Sequence, residues 1–184
     1  ALGKDEGAAA RKQLRGLVPA LVKVRTYREQ MLYDTAYFVV EAGKPVQVSL
    51  ENDDAMQHNI VIVQPGTLGK VAGLAAGMQP PSDENAKAFV PEVPEVVAAS
   101  KLANPDETLV VSFAAPAKPG EYPYVCTFPG HAERMNGIML VVPDIDAWEK
   151  AGRTPPTDPK TKKPYASDKV ESMEGPAPAG GHQH

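Results

Sequence analysis

The sequence predicts an all-β fold, a Greek-key β-sandwich with a short helical insertion and extended segments at both ends. Three observations lead there: short runs in which apolar and polar residues alternate, Gly/Pro/Asn/Asp clusters that punctuate them, and little sustained helical spacing. Residues 5–18 are Ala-rich, with Leu14, Leu17 and Val18 at helical spacing, and predict a short helix or arm ended by Pro19. Val22, Val24 and Thr26 alternate with Lys23 and Arg25, as a half-buried strand does. Residues 36–41 are aromatic and β-branched, residues 42–45 read as a turn, and Val46, Val48 and Leu50 then alternate with Gln47, Ser49 and Glu51. After the polar turn Asn52-Asp53-Asp54, residues 58–63 predict another strand. Leu68, Val71, Ala72 and Ala75 share one helical face within 67–78. Repeated prolines over 79–105 predict a loop, with a short helix at 94–99. Residues 108–114, 122–126 and 137–142 are further strands, and strands so far apart in sequence imply an antiparallel sandwich with Greek-key connections.

After Pro143 a helical turn or two is expected around Trp148, followed by a Pro-rich tail over 153–184 that lacks a core of its own. The chain therefore divides into an arm at 1–21, a β domain at 22–143 with a flap at 67–105, and an extension at 144–184. Its 42 % hydrophobic residues are enough to fill such a core, and a net charge of -4 gives no reason to expect nucleic acid or an anionic membrane as partner. No apolar run reaches the ~18 residues of a membrane-spanning helix, and no signal-peptide pattern is visible.

Cys126 is the single cysteine, so no disulfide can form within the chain, and its neighbours must decide between packing, nucleophilic chemistry and metal binding. Taken alone, a cysteine is most often core filler. Here it opens Cys126-Thr127-Phe128-Pro129-Gly130-His131-Ala132-Glu133-Arg134-Met135, a loop between two expected strands. Pro129 and Gly130 demand a tight turn that directs His131 back toward Cys126, and Met135 lies at the far end. Thiolate, imidazole and thioether are soft ligands that suit copper, not calcium or magnesium. Of the four histidines two sit at the extreme C-terminus, which leaves His58, at the head of a strand, as the internal partner. Two histidines, a cysteine and a weak axial methionine make a trigonal copper site of the electron-transfer kind. Met135 can instead simply pack. Asn59 and Thr127 either bridge the two ligand segments by hydrogen bonds or satisfy local backbone. Met56, Phe128, Pro129 and Ala132 either frame an exposed edge of His131 as a docking patch or pack as ordinary loop residues. His182 and His184 form an H-x-H pair read as an incidental tail in preference to a second metal site.

The His-Asn pair at 58–59, the CTFPGH run at 126–131, Met135 followed by Gly137, and Gln30-Met31 ahead of the strand near Tyr33 resemble the cupredoxins, most closely the azurin and auracyanin branch. The resemblance spans residues 22–143. It implies one copper held by His58, Cys126, His131 and Met135, with the backbone carbonyl of Gln57 as a weak fifth contact, and it likens the 67–105 insertion to the helical flap of azurins. It also implies redox donor and acceptor proteins as partners and work in the periplasm or elsewhere outside the cytoplasm, while the long segments at both ends suggest a module of a larger parent oxidoreductase. The chain departs from azurins in lacking the disulfide they usually carry near the N-terminus. Electron transfer at a type 1 (blue) copper centre is the leading expectation, and the chain is not expected to be an enzyme. A non-redox copper carrier is the alternative. A copper oxidase or nitrite reductase would need more histidines than His182 and His184 supply.

Overall fold

A computed structural model describes residues 18–83 and 86–173. The helix or arm expected over 5–18, apart from Val18, and the His182/His184 pair lie outside the described residues. Within them the chain forms nine strands and two helices. In order these are β1 (Ala20–Tyr27), β2 (Leu32–Tyr33), β3 (Tyr37–Glu41), β4 (Pro45–Glu51), β5 (Val61–Val63), α1 (Leu68–Ala76), β6 (Val96–Ala99), β7 (Thr108–Ala114), β8 (Gly120–Val125), β9 (Asn136–Val142) and α2 (Ile145–Lys150).

The strands make two sheets, β2-β1-β4-β7 and β3-β9-β8-β5-β6. Alternation sets which face each strand buries: β4 hides Val46, Val48 and Leu50 and leaves the residues between them half-exposed. These side chains meet Phe38, Val40, Ile62, Tyr122, Tyr124, Met139 and Val141 from the opposite sheet in one apolar core. β5 is instead buried along its whole length, because Val61 and Val63 face a second cluster with Val71 of α1, Val90 and Val125. A strand covered on both faces reads as a continuous apolar run, which is how Ile60-Val61-Ile62-Val63 reads.

The sandwich expected from sequence is present, with two corrections. Both sheets are mixed, not antiparallel: β1 runs parallel to β4, with Val22 beside Val48, and β3 runs parallel to β9, with Val39 beside Leu140. The turn expected after β3 is present and passes between the sheets. Gly43, at φ 70°, turns the chain out of one sheet and into the other, and Ala42 N bonds Val142 O while Ala115 N bonds Lys44 O. The helix expected at 94–99 is strand β6, where Val96, Ala98 and Ala99 pair with β5 across a bulge. Pro91 and Pro94 break the chain, and β-branched valines against a sheet edge favour the strand that follows.

The Pro-rich extension is pinned to the domain as far as Met173. Ala36 N donates to Asp168 O and Val170 N to Asp34 O, while Tyr27 Oη donates to Val170 O at 2.7 Å. Lys169 Nζ pairs with Asp34 at 3.1 Å, and the Tyr165 ring lies 5.8 Å from that of Tyr37. The strap thus covers the seam between β1, β2 and β3. None of the helices among the described residues is long and apolar enough to cross a membrane.

Candidate metal centre

The loop between β8 and β9 closes on itself. Cys126 N donates to Met135 O at 2.9 Å, so the two ends of the loop stand side by side. Inside it His131 N bonds Phe128 O and Met135 N bonds His131 O, and Gly130 takes φ 87°, a left-handed turn that a side chain would strain. His58 arrives from elsewhere, held by two backbone bonds to Ala103 at the end of the flap, 2.7 and 3.2 Å long.

Three ligand atoms converge. Cys126 Sγ lies 3.7 Å from His58 Nδ1 and 3.6 Å from His131 Nδ1, and the two Nδ1 atoms are 3.2 Å apart. A first-row metal with bonds of about 2.3 Å to sulfur and about 2.0 Å to nitrogen, in a trigonal plane, needs separations of roughly 3.8 and roughly 3.5 Å. The triangle matches that within a few tenths of an ångström, so the residues fit a single copper. Cys126 and His58 are 0 % exposed and His131 is 2 % exposed. Burial lowers the pKa of both imidazoles, and the neighbouring His58 lowers that of His131 further, which keeps both in the neutral form a metal requires. Burial also pushes the Cys126 thiol up to about 11, so a metal must displace a proton to gain the thiolate.

Met135 is fully buried in the same apolar cluster as Cys126, one loop end from His131. Gln57 is exposed, its amide bonded to Asn104 Oδ1 at 2.7 Å. Asn59 and Thr127 bridge the two ligand segments: Asn59 Oδ1 accepts from Thr127 N at 2.8 Å and Asn59 Nδ2 donates to Thr127 Oγ1 at 2.9 Å. Of the expected docking residues, Met56 and Pro129 are exposed, and Phe128 and Ala132 are half-buried. His131, for which an exposed edge was expected, keeps 2 % of its surface exposed, and its ring lies 4.8 Å from that of Phe128 between centroids. Phe128 in turn meets Phe89 of the flap and lines a hollow of about 640 Å³.

One residue that the sequence reading passed over as turn material stands against the site. Asp54 Oδ2 lies 2.9 Å from His58 Nε2, with both side chains wholly buried. Burial alone would raise the Asp54 pKa, but hydrogen bonds from Glu29 N, His58 and Ala55 N outweigh it and hold the carboxyl below its ordinary value. Tyr33 was also missed; its hydroxyl donates to Asn59 O. The available signal for Asp54 was a carboxylate four residues ahead of a candidate ligand histidine.

A two-layer sandwich with a buried His/Cys/His triangle at one pole is the architecture of a small copper-binding protein. Residues 20–142 match the family model for copper binding proteins of the plastocyanin/azurin family. Auracyanin-A of Chloroflexus aurantiacus is 33 % identical over 135 residues, 68 % of this chain and 76 % of that protein. Auracyanin-B of the same organism is 33 % identical over 128 residues, 66 % of this chain, which spans only 52 % of that relative. Among solved structures, dithionite-reduced auracyanin from Roseiflexus castenholzii superposes with a TM-score of 0.61 at 33 % identity, covering 68 % of this chain and 99 % of that one. The chain belongs to the plastocyanin/azurin family of copper-binding proteins. Within that family it is a cupredoxin of the azurin/auracyanin branch, and its cofactor is one copper.

Proposed function

We propose that this chain passes single electrons through one type 1 copper centre, with His58, Cys126, His131 and Met135 as ligands and the Gln57 carbonyl as a weak fifth contact. The observation that carries the reading is the buried triangle of Cys126 Sγ and two Nδ1 atoms, 3.2 to 3.7 Å on a side. When bound there, copper supplies a one-electron couple between Cu(II) and Cu(I). The chain's own residues keep the surroundings of the two states alike. Backbone bonds from Ala103 fix His58, the 126–135 loop is closed by its own amides, and Asn59 ties the two segments together. A site that cannot relax wastes little free energy on reorganisation when an electron arrives. Phe128, against His131, and exposed Met56 and Pro129 form the surface through which a donor or acceptor protein approaches.

We take residues 22–143 as the copper domain, 67–105 as its flap, and 1–21 and 144–184 as extensions of it. The domain works outside the cytoplasm, either as a shuttle or as a module of a larger redox protein. Full burial of His58 and Cys126 opposes a carrier role, since a delivered metal must leave easily.

The test is the absorption and EPR spectrum of the Cu(II)-loaded chain. A strong thiolate-to-copper band and a narrow copper hyperfine splitting are expected, and Cys126→Ser abolishes both. A weak band with ordinary tetragonal EPR from the unmutated chain overturns the reading.

A further inference from the structure

Both ring nitrogens of His58 are engaged. Nδ1 faces Cys126 Sγ and His131 Nδ1, and Nε2 faces Asp54 Oδ2 at 2.9 Å. A carboxylate accepts and cannot donate, so the imidazole proton is held on Nε2 and the Nδ1 lone pair points into the triangle. Asp54 cannot swing away to release it. Its second oxygen, Oδ1, accepts from Glu29 N at 2.9 Å and Ala55 N at 2.7 Å. Its own amide donates to Thr26 Oγ1 and to Asn52 Oδ1, and Asn52 Nδ2 is tied to the carbonyls of Met56, Ala103 and Asn104. No lysine or arginine pairs with Asp54 among the described residues; its side-chain partner is the neutral imidazole of His58. His131 has no carboxylate partner among those residues, so the two imidazoles are electronically unlike.

We propose that Asp54 is a positioning and charge-tuning residue of the metal centre, whose buried carboxylate fixes the His58 tautomer and favours Cu(II) over Cu(I). The inference rests on the copper reading above. A carboxylate on the remote nitrogen of a ligand histidine draws the proton toward itself and makes the metal-facing nitrogen more basic. A buried negative charge is also poorly screened, and it stabilises the doubly charged ion more than the singly charged one. The chain therefore holds its copper at a lower reduction potential than the triangle and Met135 alone would set.

The measurement is voltammetry of the copper-loaded full chain beside its Asp54→Asn variant, with the thiolate-to-copper band recorded for each. Loss of such an outer partner typically costs 10–100-fold in affinity. Taken from the Cu(II) form alone, that is a rise of roughly 60 to 120 mV at about 59 mV per tenfold for one electron. An unchanged or lowered potential, with the band retained, overturns the proposal and leaves Asp54 as a loop latch only. Pulsed EPR on the unmutated Cu(II) protein decides the matter should the variant fail to fold. The remote nitrogen of one ligand imidazole is expected to show a clearly smaller quadrupole coupling than the other, and equal couplings overturn the proposal. Absence of the thiolate band in the unmutated chain is a different failure, which sinks the copper reading and this inference together.

Discussion

Asn59 shows how much one side chain can carry at this site. It is fully buried, its amide oxygen accepts from Thr127 N, and its amide nitrogen donates to Thr127 Oγ1, next to the ligand thiol. Truncation leaves the buried Thr127 N–H without an acceptor, a loss of about 1–3 kcal/mol. Asn59→Ala is therefore expected to lower the urea midpoint of the metal-free protein by that equivalent, and an unchanged midpoint would show that the two ligand segments are tied by other means. Residue chemistry was the most legible part of the site in the sequence. A thiol, an imidazole and a thioether in one Pro-Gly loop leave few chemical readings, and with two histidines at the extreme terminus His58 was the natural fourth. Asp54 was not legible, because a carboxylate beside Asn52 and Asp53 reads as an ordinary turn former. Its role exists only once the turn folds its side chain under the histidine four residues on.

The elements were legible to the extent that period-two alternation reveals a strand and the face it buries. It does not reveal the neighbour, which is why the parallel pairing of β1 with β4 and β3 with β9 was missed. Nor does it separate a four-residue Val/Ala run from one helical turn, which is how β6 was misread. The crossing of β9 over Tyr124 offers a test of packing at this scale. Tyr124 Oη donates to Thr35 O at 2.6 Å, and a Cβ at Gly137 would strike that ring and come within 2.6 Å of Ala36 O. Backbone cannot yield as a flexible side chain can, so Gly137→Ala is expected to cost about 1–3 kcal/mol by overpacking. That is several degrees in the thermal midpoint at ~2–4 °C per kcal/mol for a chain of this size. A midpoint within one degree of the parent would mean that β9 shifts freely.

For the molecule as a whole, the strap over 153–173 extends the fold beyond the residues that its relatives' family model matches. Composition pointed to a tail without a core of its own, since prolines and charges cannot build one. Tyr27, Asp34, Ala36 and Tyr37 supply the partners it lacks. None of the hydrogen bonds recorded for His58, Cys126 or His131 runs to the strap. Ending the chain after Gly152 is thus expected to lower the thermal midpoint, by exposing the Ala36 amide and the Tyr37 ring, while the copper absorption band keeps its position. A shifted band would tie the strap to the site.

The parallel union of β3 with β9 joins residues 37–41 to residues 136–142, the first strand of its sheet to the last. A chain emerging from the ribosome carries that early strand without its ladder partner until almost the whole domain has been synthesised. The packing that this edge strand contributes therefore arrives late, as expected for topologies dominated by distant contacts. The residues of the metal pocket lie at 58 and at 126–135, so it too waits for the late segment of the chain.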